Sequence, residues 1–332
     1  MTSEKKQELL RLENLSVEYK TGRNYLSAVR GVNLAVNRGE VLAVVGESGC
    51  GKSTLAHAIM RLLGGHNNRV SGEILFDGQD LTKLSDKEIR AIRGHKIGMI
   101  FQNPLDSLNP VYRVGGQVEE AILLDHKTRA QAAKETEALF AEVKMPDPAS
   151  QMVRFPHELS GGLRQRVMIA MMLSRYPELL IADEPTTALD VTIEAQIMDI
   201  LLRLKTEHNT AILLITHNFG IVAEAADRIA VMYAGEIVEQ GSVYEIFDDP
   251  CHPYTYLLMS ALPRQTKREG RLRTIEGSVP RLTADMQGCR FANRCPWASE
   301  QCRSTKPTAQ SAGGTHSFHC HLPKEERPWL NR

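Results

Sequence analysis

The residues with the clearest chemical potential lie between Gly46 and Ser53, where the sequence reads Gly-Glu-Ser-Gly-Cys-Gly-Lys-Ser. A glycine, four residues and then Gly-Lys-Ser is the spacing of a phosphate-binding loop. Its glycines let backbone N–H groups turn toward phosphate oxygens, and a following helix N-terminus adds partial positive charge. We expect Lys52 to reach the β- and γ-phosphates and Ser53 to coordinate Mg²⁺. The predicted nucleotide-binding residues here are Gly46, Glu47, Ser48, Gly49, Cys50, Gly51, Lys52, Ser53 and Thr54. A glycine turn that only joins a strand to a helix is disfavoured by the full match.

Two carboxylates follow the apolar run at 179–182, as Asp183 and Glu184. If this run is a strand of a parallel sheet, the carboxylates lie at its carboxyl edge, beside the phosphate-binding loop. Asp183 can then hold the Mg²⁺ shell, and Glu184 can polarise an attacking water as general base. A solvated acidic turn is the common alternative for such a pair alone. Together with the loop, the pair predicts ATP hydrolysis.

Four of the six cysteines come after residue 288, in a segment with few other core-forming residues. They indicate a metal or cluster site, because disulfides are disfavoured in a cytoplasmic chain. Tetrahedral Zn²⁺ could take four thiolates, or three with one of the nearby histidines, although the usual Cys-x₂₋₄-Cys spacing is absent. Four thiolates also suit a [4Fe–4S] cluster, and unligated thiols are the remaining alternative. The candidate ligands are Cys289, Cys295, Cys302 and Cys320, with His316, His319 and His321 as the zinc alternatives.

The elements that must position these residues alternate between strand and helix. Residues 41–45 form a continuous apolar run, typical of a strand buried on both faces, and lead into the loop. A helix is predicted over 52–63. The same alternation returns later and predicts a mainly parallel sheet covered by helices. The later predicted elements are strands at 179–182, 211–215 and 229–233 and a helix at 193–205.

The domain organisation follows from where this alternation stops. Residues 9–262 are predicted to form one α/β cassette, which opens with an antiparallel β-layer. A helical subdomain is inserted at about 105–176, including helices over 130–143 and 162–173. From about 263 the composition turns toward Pro, Arg, Thr, Ser and Gly, and we place a boundary at Pro263–Gly270. Residues 263–332 are therefore predicted to be a separate cysteine-bearing module.

Composition restricts the partners of this 332-residue chain. Lys and Arg together number 40, as do Asp and Glu, so no net charge attracts nucleic acid or an anionic membrane. The apolar runs are far shorter than the ~18 residues of a spanning helix. The polar N-terminus lacks the apolar core of a secretory signal. These features predict a cytoplasmic chain that binds no nucleic acid and touches a membrane only through partners.

A second group of motifs resembles the ABC-type ATPases over about residues 9–262. Residues 159–166 read Leu-Ser-Gly-Gly-Leu-Arg-Gln-Arg, which is similar to the signature of that family. The other motifs occur in the family's order: Gln102 at the Q-loop, Ala188-Leu189-Asp190 at the D-loop and His217 at the switch position. Few P-loop kinases would carry this signature ahead of the acidic strand. The resemblance implies the P-loop NTPase fold of an ABC cassette.

The same resemblance implies further residue roles. Tyr19 lies where the family stacks an aromatic ring on adenine, with Tyr25 as a neighbouring alternative. Gln102 would contact Mg²⁺ and take part in catalysis with Glu184 and His217. Asp190 would contact the nucleotide.

The resemblance also implies that two cassettes pair head to tail. Ser160, Gly161 and Gly162 of one chain would then contact the γ-phosphate held by the partner's loop, as a helix N-terminus can. An isolated chain should hydrolyse ATP slowly. Two positions depart from the usual pattern, Leu163 in place of Gln and Asn218 in place of Asp, but neither removes a group that performs chemistry.

Three segments resemble the dipeptide and oligopeptide importer ATPases in particular: Asp106–Pro110, Ala182–Thr192 and His252–Thr255. Nickel-importer ATPases share much of this pattern, so the solute stays open. The resemblance implies a peripheral subunit on the cytoplasmic face of the membrane. It would work with a homologous second ATPase, two permeases and an external solute-binding protein. The importer tail favours [4Fe–4S] over zinc at the four cysteines.

Two other classes of function compete with this interpretation. A soluble ABC ATPase acting on ribosomes or DNA usually has two cassettes in one chain or a long coiled-coil insertion, and neither is evident here. A small-molecule P-loop kinase would lack both the signature at 159–166 and His217. Association with a permease would separate an importer from a ribosome-bound ATPase.

Overall fold

A computed structural model of the chain describes residues 7–64, 67–103, 107–125, 127–187, 190–261, 275–280 and 286–329. Its strands are β1 Glu8–Thr21, β2 Asn24–Asn37, β3 Val41–Val45, β4 Asn68–Phe76, β5 Gln79–Asp80, β6 Ile97–Ile100, β7 Leu179–Asp183, β8 Ala211–Thr216, β9 Arg228–Tyr233, β10 Glu236–Ser242, β11 Gln310–Gly313 and β12 His316–Phe318. Its α-helices are α1 Lys52–Ile59, α2 Asp86–Ile92, α3 Val114–Leu123, α4 Arg129–Glu142, α5 Pro148–Met152, α6 Gly161–Leu173, α7 Val191–His208, α8 Phe219–Ala225, α9 Val243–Asp248, α10 Pro253–Ser260 and α11 Glu300–Ser304.

Some predicted features lie outside the described residues. They are Ala188 and Leu189 of the D-loop, Asp106 of the importer-like segment, and the boundary at Pro263–Gly270. The described residues form two compact units, and each is presented by itself.

The first unit contains the described residues of 1–9, 37–40 and 83–215. Its strands β8, β7 and β6 are parallel and adjacent in that order. Every residue of β7 is buried, as its continuous apolar sequence predicts. Because all three strands run the same way, the chain leaves β6 and β7 at one edge. Gln102 and Glu184 follow these two strands.

Helices α3 to α6 of this unit lie where the helical insertion was predicted. The buried guanidinium of Arg166 on α6 donates to the carbonyl oxygens of Val143 and Lys144, at 2.5 and 2.7 Å, just after α4 ends. These carbonyls would otherwise lack partners at the helix C-terminus. Arg166 also contacts Gln196 on α7. One side chain therefore holds α4, α6 and α7 together.

The second unit contains the described residues of 10–36, 41–82 and 216–332. One sheet has the strand order β2-β1-β4-β5, with β1 antiparallel to β4 and β4 antiparallel to β5. This matches the predicted antiparallel β-layer. In a second sheet, β3 pairs in parallel with β9, so that Ala43 lies opposite Ile229. Strand β9 then pairs with β10 in the antiparallel sense.

Helix α1 is shorter than predicted and ends at Ile59 instead of residue 63. Arg61 adopts a left-handed backbone conformation, with φ of 49°, which stops the helix. Its guanidinium donates to the carbonyl oxygen of Leu81 at 3.1 Å. Leu62 fits the apolar spacing that predicted a longer helix. It lies beyond the helix end, however, and its side chain is 40% exposed.

The cysteine-bearing tail, predicted to be a separate module, contributes strands to the sheet of the second unit. Strand β12 pairs antiparallel with β10, with Glu239 opposite Phe318, so the tail extends the second unit's sheet. Glu239 is fully buried and its carboxylate accepts from the backbone N–H groups of Cys251 and His252, at 2.5 and 2.8 Å. The Nε2 atom of His316 lies 2.7 Å from the same carboxylate. Pairing with β12 covers backbone groups that an edge strand would leave open.

Candidate functional site

The phosphate-binding loop joins β3 to α1 in the second unit, as its sequence predicts. Gly51 has φ of 110°, which other residues rarely adopt. A Cβ there would lie 2.5 Å from the carbonyl oxygen of Ala28. A Cβ on Gly46 would lie 2.2 Å from the carbonyl oxygen of Met232. Glycine is therefore required at both positions by neighbouring backbone.

Lys52 begins α1 and is only 4% exposed. Its ammonium donates to the carbonyl oxygens of Gly46 at 2.7 Å and Glu47 at 3.0 Å. The cation is thus held inside the curve of the loop. The first N–H groups of any helix lack partners within the helix. The cation and this helix start together can bind an anion such as a phosphate group.

The loop is also held from the C-terminal end of the chain, which was not predicted. Arg294 forms two hydrogen bonds to the Glu47 carboxylate, at 2.7 and 3.0 Å. The backbone N–H of Glu47 donates to the Tyr254 hydroxyl at 3.0 Å. Burial is the main cause of the raised pKa of Tyr254, so this hydroxyl stays neutral. Two of the partners of the loop are therefore more than 200 residues away in sequence.

The residues of this unit that were predicted to stack on adenine or to form the switch are exposed or half-buried. Tyr19 on β1 is half-buried and lies opposite Asn68 of β4. The ring of Tyr25 is covered by the guanidinium of Arg69, 3.8 Å from the ring centre, which favours Tyr19 for adenine stacking. His217 is exposed just before α8. Asn218 caps that helix, accepting from the N–H of Gly220 at 2.9 Å, so the unusual residue keeps the helix start intact.

In the first unit the structure brings Gln102 and Glu184 together. The Nε2 atom of Gln102 lies 3.1 Å from Oε2 of Glu184, which also accepts from the Thr187 hydroxyl at 2.8 Å. Glu184 has φ of 47°, an uncommon backbone conformation for this residue type. Its N–H donates to the carbonyl oxygen of Ile215 at 2.8 Å, which fixes the turn. Asp183 ends β7 and is 2% exposed.

The signature motif forms the start of α6. Ser160 is the N-cap residue, and its hydroxyl accepts from the N–H of Leu163 at 3.4 Å. Gly161 is exposed. A Cβ on Gly162 would lie 2.9 Å from Cγ2 of Ile193 on α7, so glycine allows the two helices to approach. Asp190 caps α7 by accepting from the N–H of Ile193 at 3.0 Å.

The four tail cysteines line one pocket of the second unit together with apolar side chains such as Phe291, Trp297 and Leu322. None of the four forms a disulfide bond. Burial is the main cause that raises the pKa of Cys289 to about 12 and that of Cys295 to about 11. The raised pKa values mean that burial favours the neutral thiols over thiolates. A bound metal centre would instead stabilise the thiolates.

Spacing of the sulfur atoms bears on which metal could fit. Tetrahedral zinc with Zn–S bonds of about 2.3 Å holds its sulfurs about 3.8 Å apart. Within the described part of the chain, no three of these four sulfurs all lie within 4.8 Å of one another. A cluster of several irons separates its thiolates further than one ion does.

Two of the three histidines considered as zinc ligands already have other partners. His316 is committed to Glu239, and Nε2 of His321 lies 2.9 Å from the carbonyl oxygen of Thr305. His316, Glu239 and Cys251 do form a compact, buried set of metal-donor atoms. The Glu239 carboxylate in that set already accepts two backbone N–H groups, so the trio is satisfied as a structural network.

The loop with its buried lysine, the carboxylates at the end of β7 and the capped Ser-Gly-Gly helix start define an ABC-type ATPase cassette. Comparison with known protein families supports this class. The family model described as "ABC transporter" matches residues 29–187, and "Oligopeptide/dipeptide transporter, C-terminal region" matches residues 238–302. The chain belongs to the ATP-binding proteins of ABC transporters, and the predicted family is confirmed.

Two relatives match almost end to end. The oligopeptide transport ATP-binding protein OppD of Bacillus subtilis is 46% identical, covering 96% of this chain and 92% of the relative. The dipeptide transport ATP-binding protein DppD of Escherichia coli K12 is 44% identical, covering 97% and 99% respectively.

A solved structure confirms the predicted cassette fold. The dimeric ATP-binding cassette MJ0796, in a post-hydrolysis state bound to ADP and Pi, superposes with a TM-score of 0.65 and 28% identity. The match covers 71% of this chain and 99% of that one. Over the residues that the structure describes, no helix combines the length and apolar character needed to span a membrane.

Proposed function

We propose that this chain hydrolyses ATP to power the import of di- or oligopeptides across the cytoplasmic membrane. The observation that carries the proposal is the full-length match to peptide-transport ATPases, which extends through the C-terminal region at 238–302. Cassette motifs alone would fit transporters of any solute. The tail match favours peptides over nickel or another small solute.

We assign the nucleotide chemistry as the motifs predict. Lys52 and the loop bind the β- and γ-phosphates, while Ser53, Gln102 and Asp183 hold Mg²⁺. Glu184 is the general base that polarises the attacking water. Its hydrogen bond from Gln102, at 3.1 Å, supports a shared role for the pair. The other proposed contacts to nucleotide come from Tyr19, His217 and Asp190 together with the remaining loop residues.

We propose that hydrolysis requires a second, homologous ATPase subunit. The capped start of α6 presents Gly161 to solvent, as a site for a partner's γ-phosphate would require. In the assembled importer the two ATPases would lie at the cytoplasmic face under two permeases, with an external solute-binding protein supplying peptide. The dimeric solved cassette supports this pairing.

The experiment measures uptake in cells whose own copy of the chain has been deleted. Cells carrying the wild-type chain should accumulate radiolabelled di- and tripeptides, and cells carrying Glu184→Gln should not. Nickel uptake, measured in the same cells, should be equal in both. Loss of nickel uptake with normal peptide uptake would transfer the proposal to metal import. Normal uptake of both, with the chain found on ribosomes, would refute the import role.

We further propose that Cys289, Cys295, Cys302 and Cys320 hold a [4Fe–4S] cluster. All four cysteines line one largely apolar pocket, which supports a shared ligand set. When bound, the cluster would cross-link a tail that has little core of its own. Nothing in the ATPase chemistry above passes through it.

Metal analysis of the anaerobically purified chain tests the cysteine site. We expect four irons and four sulfides per chain with a brown colour, and Cys302→Ser should lose most of the iron. The matched variant Cys251→Ser should keep it, because Cys251 lies outside the four-cysteine pocket. A colourless protein with one zinc per chain would reverse the assignment.

A further inference from the structure

Arg294, in the cysteine-bearing tail, contacts Glu47 of the phosphate-binding loop. Both terminal nitrogens of Arg294 bond to the two oxygens of Glu47, the fork-to-fork geometry in which arginine and carboxylate interact most strongly. The Arg294 side chain is 6% exposed and that of Glu47 is 30% exposed. This ion pair is thus largely shielded from solvent, unlike the surface pairs that contribute little.

Arg294 is itself fixed before it reaches the loop. Its Nε donates to the carbonyl oxygen of Glu276 at 2.9 Å, and one terminal nitrogen also reaches the carbonyl oxygens of Ile275 and Gly277. Its guanidinium lies 5.8 Å from the ring centre of Tyr233. Because these contacts pre-orient the side chain, little conformational entropy remains to be lost when it holds Glu47.

The backbone that carries Arg294 is part of the cysteine site. Arg294 directly precedes Cys295, and its N–H donates to the carbonyl oxygen of Phe291 at 2.9 Å. The N–H of Cys289 donates to the carbonyl oxygen of Cys302 at 2.8 Å, which closes the turn over the pocket. Binding or loss of a metal centre by the four cysteines would therefore alter the backbone that positions Arg294.

On the loop side, the backbone of Glu47 contacts Lys52, the residue proposed to bind the phosphates. Its carbonyl oxygen accepts from the Lys52 ammonium at 3.0 Å, while its N–H donates to Tyr254. If the side chain were released, residue 47 could rotate and move this carbonyl away from Lys52. The Arg294 contact therefore bears on where the lysine cation sits.

We infer that Arg294 is a positioning residue that holds the phosphate-binding loop ready for nucleotide through Glu47, and that the cysteine site sets how firmly it does so. The first part stands on the Arg294 contacts alone. The second part rests on the proposed function of the four cysteines as a ligand set. Arg294 need not touch the nucleotide.

Equilibrium binding of a fluorescent ATP analogue with Mg²⁺ tests the first part on the full chain. Arg294→Gln should raise the Kd roughly tenfold, because a preorganised loop becomes one that must be ordered on binding. Arg294→Lys keeps a charge but not the fork, so it should restore part of the affinity. Arg303→Gln, on the exposed surface of the same tail, is the matched control and should bind as wild type.

A double variant separates positioning from a general loss of structure. Glu47→Gln should weaken binding to a similar extent, and combining it with Arg294→Gln should add little, because both remove the same contact. Thermal unfolding identifies variants that do not fold. Folded Arg294→Gln with a Kd within twofold of wild type, or fully multiplicative effects in the double variant, would overturn the positioning role.

The second part is tested by Cys295→Ala, with metal content measured on the same samples. Loss of metal should raise the Kd of the otherwise wild-type chain several-fold, but should change it little in the Arg294→Gln background. Metal loss without any change in Kd would overturn the coupling. A wild-type chain that contains neither iron nor zinc would refute the cofactor and the coupling, while the Arg294 and Glu47 variants would still decide the positioning role.

Discussion

Replacing Lys52 with alanine is expected to lower ATP hydrolysis by the assembled transporter about 10²- to 10³-fold, the usual effect of removing one group that stabilises transition-state charge. The ammonium lies inside the loop, 2.7 and 3.0 Å from two backbone carbonyl oxygens, and is only 4% exposed. Alanine leaves both carbonyls facing the incoming phosphates without a cation between them. Electrostatic repulsion then weakens nucleotide binding as well as catalysis.

Turnover of the purified transporter and nucleotide binding by the isolated chain should both be measured for this variant. Lys52→Arg should not rescue activity, because the larger planar guanidinium does not fit a buried position built for an ammonium. Lys134→Ala, an exposed lysine on α4, is the matched control and should retain wild-type activity. Wild-type turnover in Lys52→Ala would remove this residue from the phosphate site.

Replacing Glu184 with glutamine is expected to lower hydrolysis about 10²- to 10⁴-fold, the typical contribution of a general base. Glutamine is nearly the same size and can still hydrogen-bond to Gln102 and Thr187, which contact the native carboxylate at 3.1 and 2.8 Å. The turn and the nucleotide contacts should therefore persist. Only the ability to accept a proton from water is lost.

The distinctive result for Glu184→Gln is a separation of binding from turnover. The Kd for ATP should change less than about threefold, since no group proposed to contact the phosphates is removed. ATP should also hold the variant together with its partner ATPase for longer, which size-exclusion chromatography with ATP would detect. Glu207→Gln, exposed near the end of α7, should behave as wild type. Turnover above one tenth of wild type in Glu184→Gln would assign the base elsewhere.

Local sequence predicted the elements that bury continuous apolar runs. Strands β3 and β7 were expected at 41–45 and 179–182, and the structure has them at Val41–Val45 and Leu179–Asp183. Strand β11 shows the opposite case, because all four residues are exposed and no apolar alternation marks it. Its partner β12 has only three residues, too few to show a period.

Some parts of the candidate site could likewise be predicted from local sequence, and others could not. The loop and the signature motif are continuous in sequence, so residue type and spacing identify them. Arg294 and Glu47 are 247 residues apart in sequence, so no local sequence pattern predicts their contact. The one local signal was an arginine directly before one of the four tail cysteines. The roles of the individual nucleotide-binding residues remain predictions.

The pairing of β12 with β10 has a consequence for how the chain is made. Glu239 can contact His316 only after another 77 residues have been synthesised. Glu47 likewise needs Arg294, which is synthesised much later. During synthesis the N-terminal part emerges first, at about 5–20 residues per second. The loop can therefore form early, but it acquires its last restraint only when translation is almost finished. A chain released prematurely would carry every cassette motif and lack the contact that holds the loop in place.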